Sequence, residues 1–477
     1  MGENITPIQA SFNNSVKIEG RPERLTAETG SLLLREADER LGLTRDLAAQ
    51  LIDPRCTSVH SLTELLRTSI FLPALGWRDQ DDADFFRHDP ALRVAISDER
   101  GVKPLMSSED SPGGLASQPT LSRLHETLSS EHNRTVLRSF LMEGAARRVK
   151  AQNSGHRQRG ITLDIDSLPI EVAGNQPGAE HNAHYGTTIF HPLIATAAEL
   201  GDILDVELRQ GTAHTADGGL DFILNTVREA RKSLCQIAAV RIDAGFPDDI
   251  TLSGLEAEGI PYVARIKSNS VLDKMAEPYL TRPAGRPPLE PREWTVEMSY
   301  QAAHWGEERR VVLVINERPN ELILHHFWLI TSWEEEQMPA EQLVPHYRQR
   351  GSAEGYFGEL MDAIKPALSS NKRPKTHYRG KKLTTKNIKN LSFFTNEVRL
   401  ILAALAYNLL HATRTVAEAA FATGMTLTTV RDRYLRVASR MIIHARRIIV
   451  VIASEVRERW DKLWRGMRKL DFVGGSR

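Results

Sequence analysis

The stretch Leu163-Asp164-Ile165-Asp166-Ser167 alternates apolar and acidic side chains, and it decides the fold class that the sequence predicts. It completes a run, 161–165, that has the alternation of a β-strand. Because successive side chains point to opposite faces of a strand, Asp164 and Asp166 share one face, while Leu163 and Ile165 take the other. Both acids are therefore candidates for a functional site, and we prefer Asp166 because it lies nearer the strand end.

Downstream of this strand the sequence continues as a mixture of strands and helices. Strand-like runs at 191–198 and 203–209 precede an amphipathic helix at 216–232 and an apolar strand at 236–242. Further strand-like runs follow at 261–266, 293–300, 310–315 and 325–331. Three strands, a helix and another strand suit a mixed sheet, so the predicted fold class is α/β.

Helical patterns flank this core on both sides. Apolar residues recur at helical spacing in 32–43, 61–75 and 120–140, and the chain reads as helical again after Pro339. The apolar run 448–453 is predicted to be a buried helix face, and the Pro- and Lys-rich stretch 366–389 a loop. The predicted organisation is a helical region at 1–150, a core at 151–412 with a β-rich insertion at 251–335, and a basic helical region at 413–477.

The composition is that of an ordinary globular chain, with 41% hydrophobic and 26% charged residues among 477. No apolar run approaches the roughly 18 residues of a transmembrane helix, and the N-terminus lacks a basic-then-apolar signal peptide. Cys56 and Cys235 are far apart and form no C-x-x-C pattern, so neither a disulfide scaffold nor a zinc site is predicted. These features predict a reduced, cytoplasmic setting.

The formal net charge of +0 hides an uneven distribution of charge along the chain. Residues 361–477 contain 24 Lys and Arg against 8 Asp and Glu, a net of +16, which leaves −16 for residues 1–360. A segment this basic usually faces a polyanion, and nucleic acid is the first candidate. Solvated helix faces are the alternative.

Two more acids occupy suggestive positions. Asp243 ends the apolar strand, directly before Ala244-Gly245-Phe246, and an acid there costs free energy unless it is paired, hydrogen-bonded or metal-bound. A turn-initiating Asp is the simpler alternative.

Tyr347, Arg350 and Glu354 stand at i, i+3 and i+7, so one helix face would present a phenol, a guanidinium and a carboxylate together. An ordinary exposed Arg–Glu pair is the alternative for the last two.

Two acids on strands and a Glu on a following helix resemble the active site of retroviral integrases and RNase H. The chain resembles the DDE transposases of bacterial insertion sequences, in the branch with a Y-x2-R-x3-E signature and a β-rich insertion, and within it insertion-sequence family 1380. The resemblance covers roughly 25–412. Its motifs lie at 163–167, 191–193, 211–217, 241–246 and 347–354, with weaker ones at 84–90 and 115–119.

This resemblance implies an RNase H-like catalytic core that cleaves DNA strands at element ends and transfers them to target DNA. Asp166, Asp243 and Glu354 would be the catalytic residues and would hold Mg²⁺, with Mn²⁺ able to substitute. Two such ions, roughly 3.5–4 Å apart, stabilise the attacking and leaving oxygens of phosphoryl transfer. The implied partner is double-stranded DNA, both terminal inverted repeats and target. A homodimer on DNA in a bacterial cytoplasm, associated with the nucleoid, is also implied.

Several residues are expected to contact DNA. Arg350 and Tyr347 would contact backbone phosphates, and Trp328 could stack on an unpaired base, although a strand Trp is more often core. The family signature has a Lys seven residues after the Glu, where this chain has Met361, and Lys365 on the same helix face could substitute. A basic cluster follows, which includes Lys372, Arg373 and Lys375. End recognition is assigned to the N-terminal helices.

Two other functions remain open at this point. Met361 favours a catalytically inactive, transposase-derived DNA-binding protein. A structure-specific nuclease with the same site but without strand transfer is the second alternative. His184, His191 and His214 lack metal-ligand spacing and are expected to make structural hydrogen bonds.

Overall fold

The structure is a computed structural model. It describes residues 7–470 apart from 57, 107–113, 154–157, 283, 285–287, 320, 322, 370–376, 379–380 and 383–384. For 377–378, 381–382 and 385–390 it describes the backbone alone.

The N-terminal region is mainly helical, as predicted, but it begins with three short strands that the sequence pattern did not indicate. Its elements are β1 (Ile8–Gln9), β2 (Lys17–Ile18), β3 (Leu25–Thr26), α1 (Ser31–Leu41), α2 (Leu43–Gln50), α3 (Leu62–Ala74), α4 (Asp82–Phe85), α5 (Pro90–Ile96), α6 (Gln118–Leu128) and α7 (Glu131–Gln152). The helix predicted over 120–140 is wrong, because the chain breaks between α6 and α7. Ser130 caps α7 by accepting a hydrogen bond from the Asn133 backbone N–H, and Ser/Thr caps start a new helix rather than continue an old one.

The core of the chain is a mixed sheet, and the predicted α/β fold class is confirmed. Its elements are β4 (Ile161–Ser167), β5 (Ile170–Glu171), β6 (Glu180–Asn182), β7 (Thr187–Phe190), β8 (Leu193–Ala197), β9 (Ile203–Glu207), α8 (Gly219–Ser233), β10 (Ile237–Ile242), α9 (Asp249–Ala257), β11 (Tyr262–Ile266) and α10 (Ser270–Ala276). Strands β4, β8 and β9 form an antiparallel meander, whereas β10 pairs parallel to β4 and β11 parallel to β10. Strands β5, β7 and β6 form a small separate sheet.

The β-rich insertion extends this same sheet. Strands β12 (Arg292–Tyr300), β13 (Arg309–Glu317) and β14 (His325–Thr331) are antiparallel, and β14 pairs with β11. The full order is β12-β13-β14-β11-β10-β4-β8-β9. Helices α11 (Ala340–Arg348) and α12 (Arg350–Glu359) then return across it, and α12 ends in a π-helical turn, Leu360–Ile364. Each strand predicted from alternation in this part of the sequence is present.

The C-terminal part contains a hairpin where the sequence predicted a helix. Its elements are β15 (His377–Tyr378), β16 (Lys381–Lys382), α13 (Thr385–Ala420), α14 (Leu427–Val430), β17 (Ser439–His444), β18 (Arg447–Ile452) and α15 (Ser454–Met467). The run 448–453, predicted as a buried helix face, is mostly β18 and is half-buried to exposed. The aliphatic run suited either structure, and β-branched Ile and Val favour strands. Helix α13 begins at Thr385, so it includes the last residues of the stretch 366–389, which was predicted to be a loop.

The two ends of the chain share one hydrophobic core with part of the sheet region. Strand β3 pairs with β17, and the Gly30 backbone N–H at the start of α1 donates to the Leu435 carbonyl at 3.0 Å. A side chain at position 30 would collide with Leu435, so the close approach requires glycine. The division into three regions remains a prediction, but its outer two are packed together.

Helix α13 runs through the middle of this shared core. Its segment Leu391–Ala420 is long and apolar enough to cross a membrane, but 94% of its most apolar window is buried inside the protein. Polar groups on α13 also hold the turn between β8 and β9. His411 donates from Nε2 to the Leu200 carbonyl at 2.7 Å and accepts at Nδ1 from Arg414. The imidazole is therefore held in its neutral form as a structural hydrogen-bonding group.

Candidate active site

Two of the predicted acids meet because of strand register. Strands β4 and β10 are parallel neighbours, and Ile165 is the Cα partner of Ile242, so Asp166 and Asp243 follow at the same edge of the sheet. Each carboxylate is fixed by a backbone N–H at 2.8 Å, from Ser167 to Asp166 Oδ1 and from Gly245 to Asp243 Oδ1. One oxygen of each remains for other partners. The turn-initiating role considered for Asp243 is thus real, but it uses one oxygen.

The third acid reaches the same place from α12. Arg350 at the start of this helix donates to Asp166 Oδ2 at 2.5 Å and to Glu354 Oε1 at 2.8 Å. The Arg350 side chain is 11% exposed and that of Glu354 64% exposed, so the guanidinium is inside the site and the carboxylate stands at its mouth. The ordinary Arg–Glu pair exists, and it is part of a larger cluster that includes Asp166.

All three acids line one open cleft of about 800 Å³. Its walls come from the end of β4, the β6–β7 turn, the loop that precedes α8, the turn after β10, and α12. The remaining lining residues are Ser167, Leu168, Pro169, Asn182, His184, Tyr185, His191, Thr212, Ala213, His214, Thr215, Ala244, Gly245, Lys267, Arg350, Phe357, Gly358 and Met361. Gly245 allows the wall to close, because a Cβ there would lie 2.8 Å from that of Thr215.

The cleft holds more negative than positive charge near Asp166. Burial raises the pKa of Asp166 to about 6; Arg350 opposes this shift, while the charges of Asp243 and Glu354 add to it. In turn, Asp166 and its acidic neighbours hold the pKa of Arg350 above its ordinary value, against the effect of burial. The Arg350 guanidinium therefore pairs with two of the three carboxylates of this cluster.

The donor set fits a hard divalent cation in chemistry and in charge. Carboxylate oxygens are the ligands that Mg²⁺ prefers, and Arg350 pairs with two of the three carboxylates that line the cleft. Within the described residues, no three His, Cys, Asp or Glu side chains already form a metal-binding group. Arg350 stands between Asp166 and Glu354, so binding a cation through both requires this guanidinium to give up a carboxylate.

Asp164, the alternative to Asp166, is occupied elsewhere. It is 1% exposed and accepts two hydrogen bonds from Arg241, at 2.6 and 2.7 Å, and Arg241 is fully buried. The same guanidinium donates to the His346 carbonyl in the last turn of α11 at 2.7 Å. Asp164 thus belongs to a buried ion pair that ties β4 and β10 to the helix preceding α12, and it does not line the cleft.

Two of the predicted DNA contacts lie away from the cleft. Trp328 is 1% exposed in the core beneath the sheet, so the prediction that it stacks on a base is wrong for this fold. The prediction that Lys365 continues the face of Met361 is also wrong. The π-helical turn changes the spacing, and Lys365 then adopts φ 51° and lines a different pocket, beside Trp77.

The other predicted contacts are close to the site or cannot be located. Arg350 lines the cleft, whereas Tyr347 is half-buried and packs beside it against the cluster that contains Val263 and Leu343. Lys372, Arg373 and Lys375 lie outside the described residues.

Three cleft residues were not found as candidates from the sequence. Lys267, just after β11, supplies a cation, and Tyr185, which is 40% exposed on the β6–β7 turn, supplies an aromatic ring. His191 makes the structural hydrogen bond that was expected, from Nδ1–H to the Ala213 carbonyl at 2.9 Å. Its Nε2 has no partner among the described residues, although His191 is only 4% exposed. The motif His191-Pro192-Leu193 was the one available signal.

One buried arginine shapes the wall beside His191. Arg209 donates to four backbone carbonyls, those of His191, His214, Thr215 and Asp217, at 2.7–3.1 Å. These contacts hold the 211–217 loop against the residues that directly precede β8. The loop therefore presents Ala213 to His191 in a fixed geometry.

Comparisons with known proteins relate the chain to transposases. The family model described as "Transposase DDE domain group 1" matches residues 8–471. A cryo-EM structure of the piggyBac transposase synaptic complex with hairpin DNA is 13% identical over 96% of this chain and 89% of that one. The TM-score of this comparison is 0.40. No curated protein matches the chain.

Proposed function

The chain belongs to the family of transposases with a group 1 DDE domain, and from this premise we propose that it cleaves DNA at the ends of a mobile element and joins the freed strands to target DNA. The main support for this proposal is that Asp166, Asp243 and Glu354 line one cleft. Arg350 lies between Asp166 and Glu354 and donates hydrogen bonds to both.

Each residue of the cluster has a distinct role in this proposal. Asp166 and Asp243, fixed by backbone N–H groups at the strand ends, and Glu354 on α12 would hold Mg²⁺, or Mn²⁺ in its place. When bound, the metal supplies charge stabilisation for the attacking and leaving oxygens of phosphoryl transfer. Arg350 would then offer its fork of donors to a backbone phosphate. Lys267 at the cleft wall is a second phosphate contact, without base specificity.

The finer assignments are also part of the proposal. We assign the β4–β8–β9–β10–β11 sheet to an RNase H-like core, and the chain to insertion-sequence family 1380. The supporting features are the positions of the three acids and the insertion strands β12–β14 between the second and third acids. A homodimer on DNA, which cuts both ends together, follows by analogy with the family. We expect it to act in a bacterial cytoplasm, at the nucleoid.

Cleavage of a duplex that carries the flanking terminal repeats, in Mg²⁺ and in Mn²⁺, tests the proposal. We expect wild-type protein to cut at the repeat ends and Asp243→Asn to be inactive, because the amide cannot supply a charged ligand. Asp248→Asn is the matched control, since Asp248 caps α9 through the Thr251 N–H and does not line the cleft. Cutting by Asp243→Asn at the wild-type rate would refute the assigned site.

A second candidate is an inactive DNA-binding descendant, and Met361 favours it. This thioether lines the cleft where the family signature has a lysine. Binding of the repeat duplex without cleavage by wild-type protein, in either metal, would select this alternative. Metal-dependent cleavage without joining would instead select a structure-specific nuclease.

A further inference from the structure

The hairpin of β17 and β18, here called the C-terminal ribbon (439–452), has two chemically different faces. Its inner face carries Met441, which is 2% exposed and packs with Ala91 and Leu105; Ile443, Ile448 and Val450 lie against this cluster. Side chains alternate along each strand, so the residues between these in sequence lie on the opposite face. The outer face is formed by the pairs Arg440–Val451, Ile442–Ile449 and His444–Arg447.

The outer face is exposed and mixes cations with aliphatic side chains. Ile449 is 44% and Val451 42% exposed, and Ile442 is half-buried. Arg440 has one carboxylate neighbour, Glu23, at 3.5 Å, in a pair that is itself exposed. For Arg446 and Arg447, no ion pair is present within the described part of the chain. The ribbon thus ends in two uncompensated positive charges.

The turn of the ribbon is held in a costly conformation. Its two central residues, Ala445 and Arg446, have φ of 48° and 62°. Two-residue hairpin turns favour positive φ at both positions, but Asn-Gly is the usual sequence there, because other residues meet steric hindrance at positive φ. The six cross-strand pairs of the ribbon enforce this geometry. Such outliers recur at functional positions, and here the outlier places an arginine at the tip.

These features suit one kind of partner. A two-stranded ribbon fits the major groove of a DNA duplex, phosphates line that groove, and thymine methyl groups offer apolar contacts inside it. A second copy of the chain is a poorer partner, because a symmetric contact through the tip would bring Arg446 and Arg447 close to their own copies. The ribbon also packs on α5 of the N-terminal region, to which end recognition was assigned.

We propose that the C-terminal ribbon binds duplex DNA, with Arg446 and Arg447 on backbone phosphates and the outer face turned to the groove. The proposal rests on the proposed DNA function and adds the element that contacts the duplex. It differs from the sequence-based expectation, which assigned recognition to helices.

The test is the salt dependence of duplex binding by the full-length protein. Fluorescence anisotropy with a labelled mixed-sequence duplex gives log K against log salt for wild type and for Arg446→Gly combined with Arg447→Gln. Glycine suits the positive φ at 446, so the turn should keep or gain stability. Each lost phosphate contact should make the slope shallower by about 0.9, hence about 1.8 for the double variant.

The control removes two exposed cations elsewhere, through Arg228→Gln and Lys232→Gln on α8, with the same change in net charge. We expect the slope of this control variant to differ from the wild-type slope by less than about 0.9, the value of one phosphate contact. A double ribbon variant with the wild-type slope would overturn the proposal, as would a wild-type protein that does not bind the duplex. If the slope depends on the ribbon but the protein never cleaves DNA, the ribbon proposal stands and the proposed transposase activity fails. If the ribbon variant binds with an unaltered slope and cleaves normally, the ribbon proposal fails and the transposase activity stands. Sedimentation that shows a lost dimer, with an unchanged slope, would assign the ribbon to self-association.

Discussion

Arg241→Met removes one half of the buried pair that connects the two acid-bearing strands to α11. Arg241 is fully buried and makes two hydrogen bonds to Asp164 and one to the His346 carbonyl. Methionine matches the length of the arginine stem but donates nothing. The variant therefore leaves a carboxylate in the protein interior without its counter-charge.

The expected loss of stability is large. Removal of one partner of a buried ion pair costs about 3–5 kcal/mol, because the remaining charge is unpaired in a poor solvent. Burial already raises the pKa of Asp164, against the effect of Arg241, so loss of the arginine favours the protonated acid and limits the cost. Arg241→Met with Asp164→Leu removes both charges and should recover most of the lost stability.

The double variant separates stability from positioning. It lacks the anchor on the His346 carbonyl, which holds the end of α11 next to Arg350 and Glu354 on α12. We expect its urea midpoint to return toward wild type while cleavage of the repeat duplex stays at least tenfold slower. Single-turnover cleavage and urea unfolding at one pH are the two measurements.

Arg148→Met is the matched control, since Arg148 pairs with Asp202 at similar burial, 5% and 1% exposed, outside the cleft. It should lose comparable stability and keep the cleavage rate of the folded protein. The reasoning is refuted if Arg241→Met loses less than about 1 kcal/mol, or if the double variant cleaves at the wild-type rate.

Three further outcomes are expected. Burial lowers the pKa of His411 to about 3 from 6.5, so the folded protein does not take the proton that the unfolded chain takes below pH 6.5. Stability should therefore fall from pH 6.5 toward 3, with a loss of about 1.4 kcal/mol from His411 at pH 5.5, and it should fall less in His411→Gln. His191→Asn keeps a donor for the Ala213 carbonyl but removes the acceptor at Nε2, so cleavage should slow about tenfold at unchanged stability, whereas His191→Gln should retain more activity. Met361→Lys adds a cation to the cleft and should steepen the salt dependence of duplex binding by about 0.9.

Each of these has a result that would contradict it. A urea midpoint that is equal at pH 7.5 and 5.5 would remove His411 from the account of acid stability. Equal cleavage by His191→Asn and wild type would leave Nε2 without a role in the reaction. A Met361→Lys protein with the wild-type salt slope would place position 361 away from bound phosphate.

The strands of the sheet and the positions of the acids relative to them could be predicted from the sequence, because both depend on local order; the catalytic role of the acids stays a prediction. Alternation located β4, an apolar run located β10, and strand-like runs located the three insertion strands; Asp166 and Asp243 are each one residue past such a run. Parallel pairing of β4 with β10 then brings these two together without any side-chain information. Glu354 followed from the helical spacing to Arg350.

Features that depend on tertiary packing could not be predicted in this way. The turn Ala445-Arg446 has no Asn-Gly signal, so the aliphatic run after it read as a helix. The sequence pattern predicted that Trp328 lies on a strand, but it did not indicate how deeply that face of the strand is buried. The π-helical turn after α12 moved Lys365 off the face on which regular spacing put it.

The choice between Asp164 and Asp166 shows where the two kinds of information meet. Period alone gave both acids the same face, and their difference comes from the neighbouring strand, where Arg241 stands beside Asp164 and Asp243 ends the strand beside Asp166. One acid is neutralised inside the protein, while the other is left at the edge with like charges and a single shared guanidinium. The same strand face thus carries Asp164, which forms the rigid buried pair with Arg241, and two residues later Asp166, which has like charges beside it. The anchor on the His346 carbonyl fixes the end of α11, directly before the helix that supplies Arg350. Loss of Arg241 should therefore affect the geometry of the cleft from outside it.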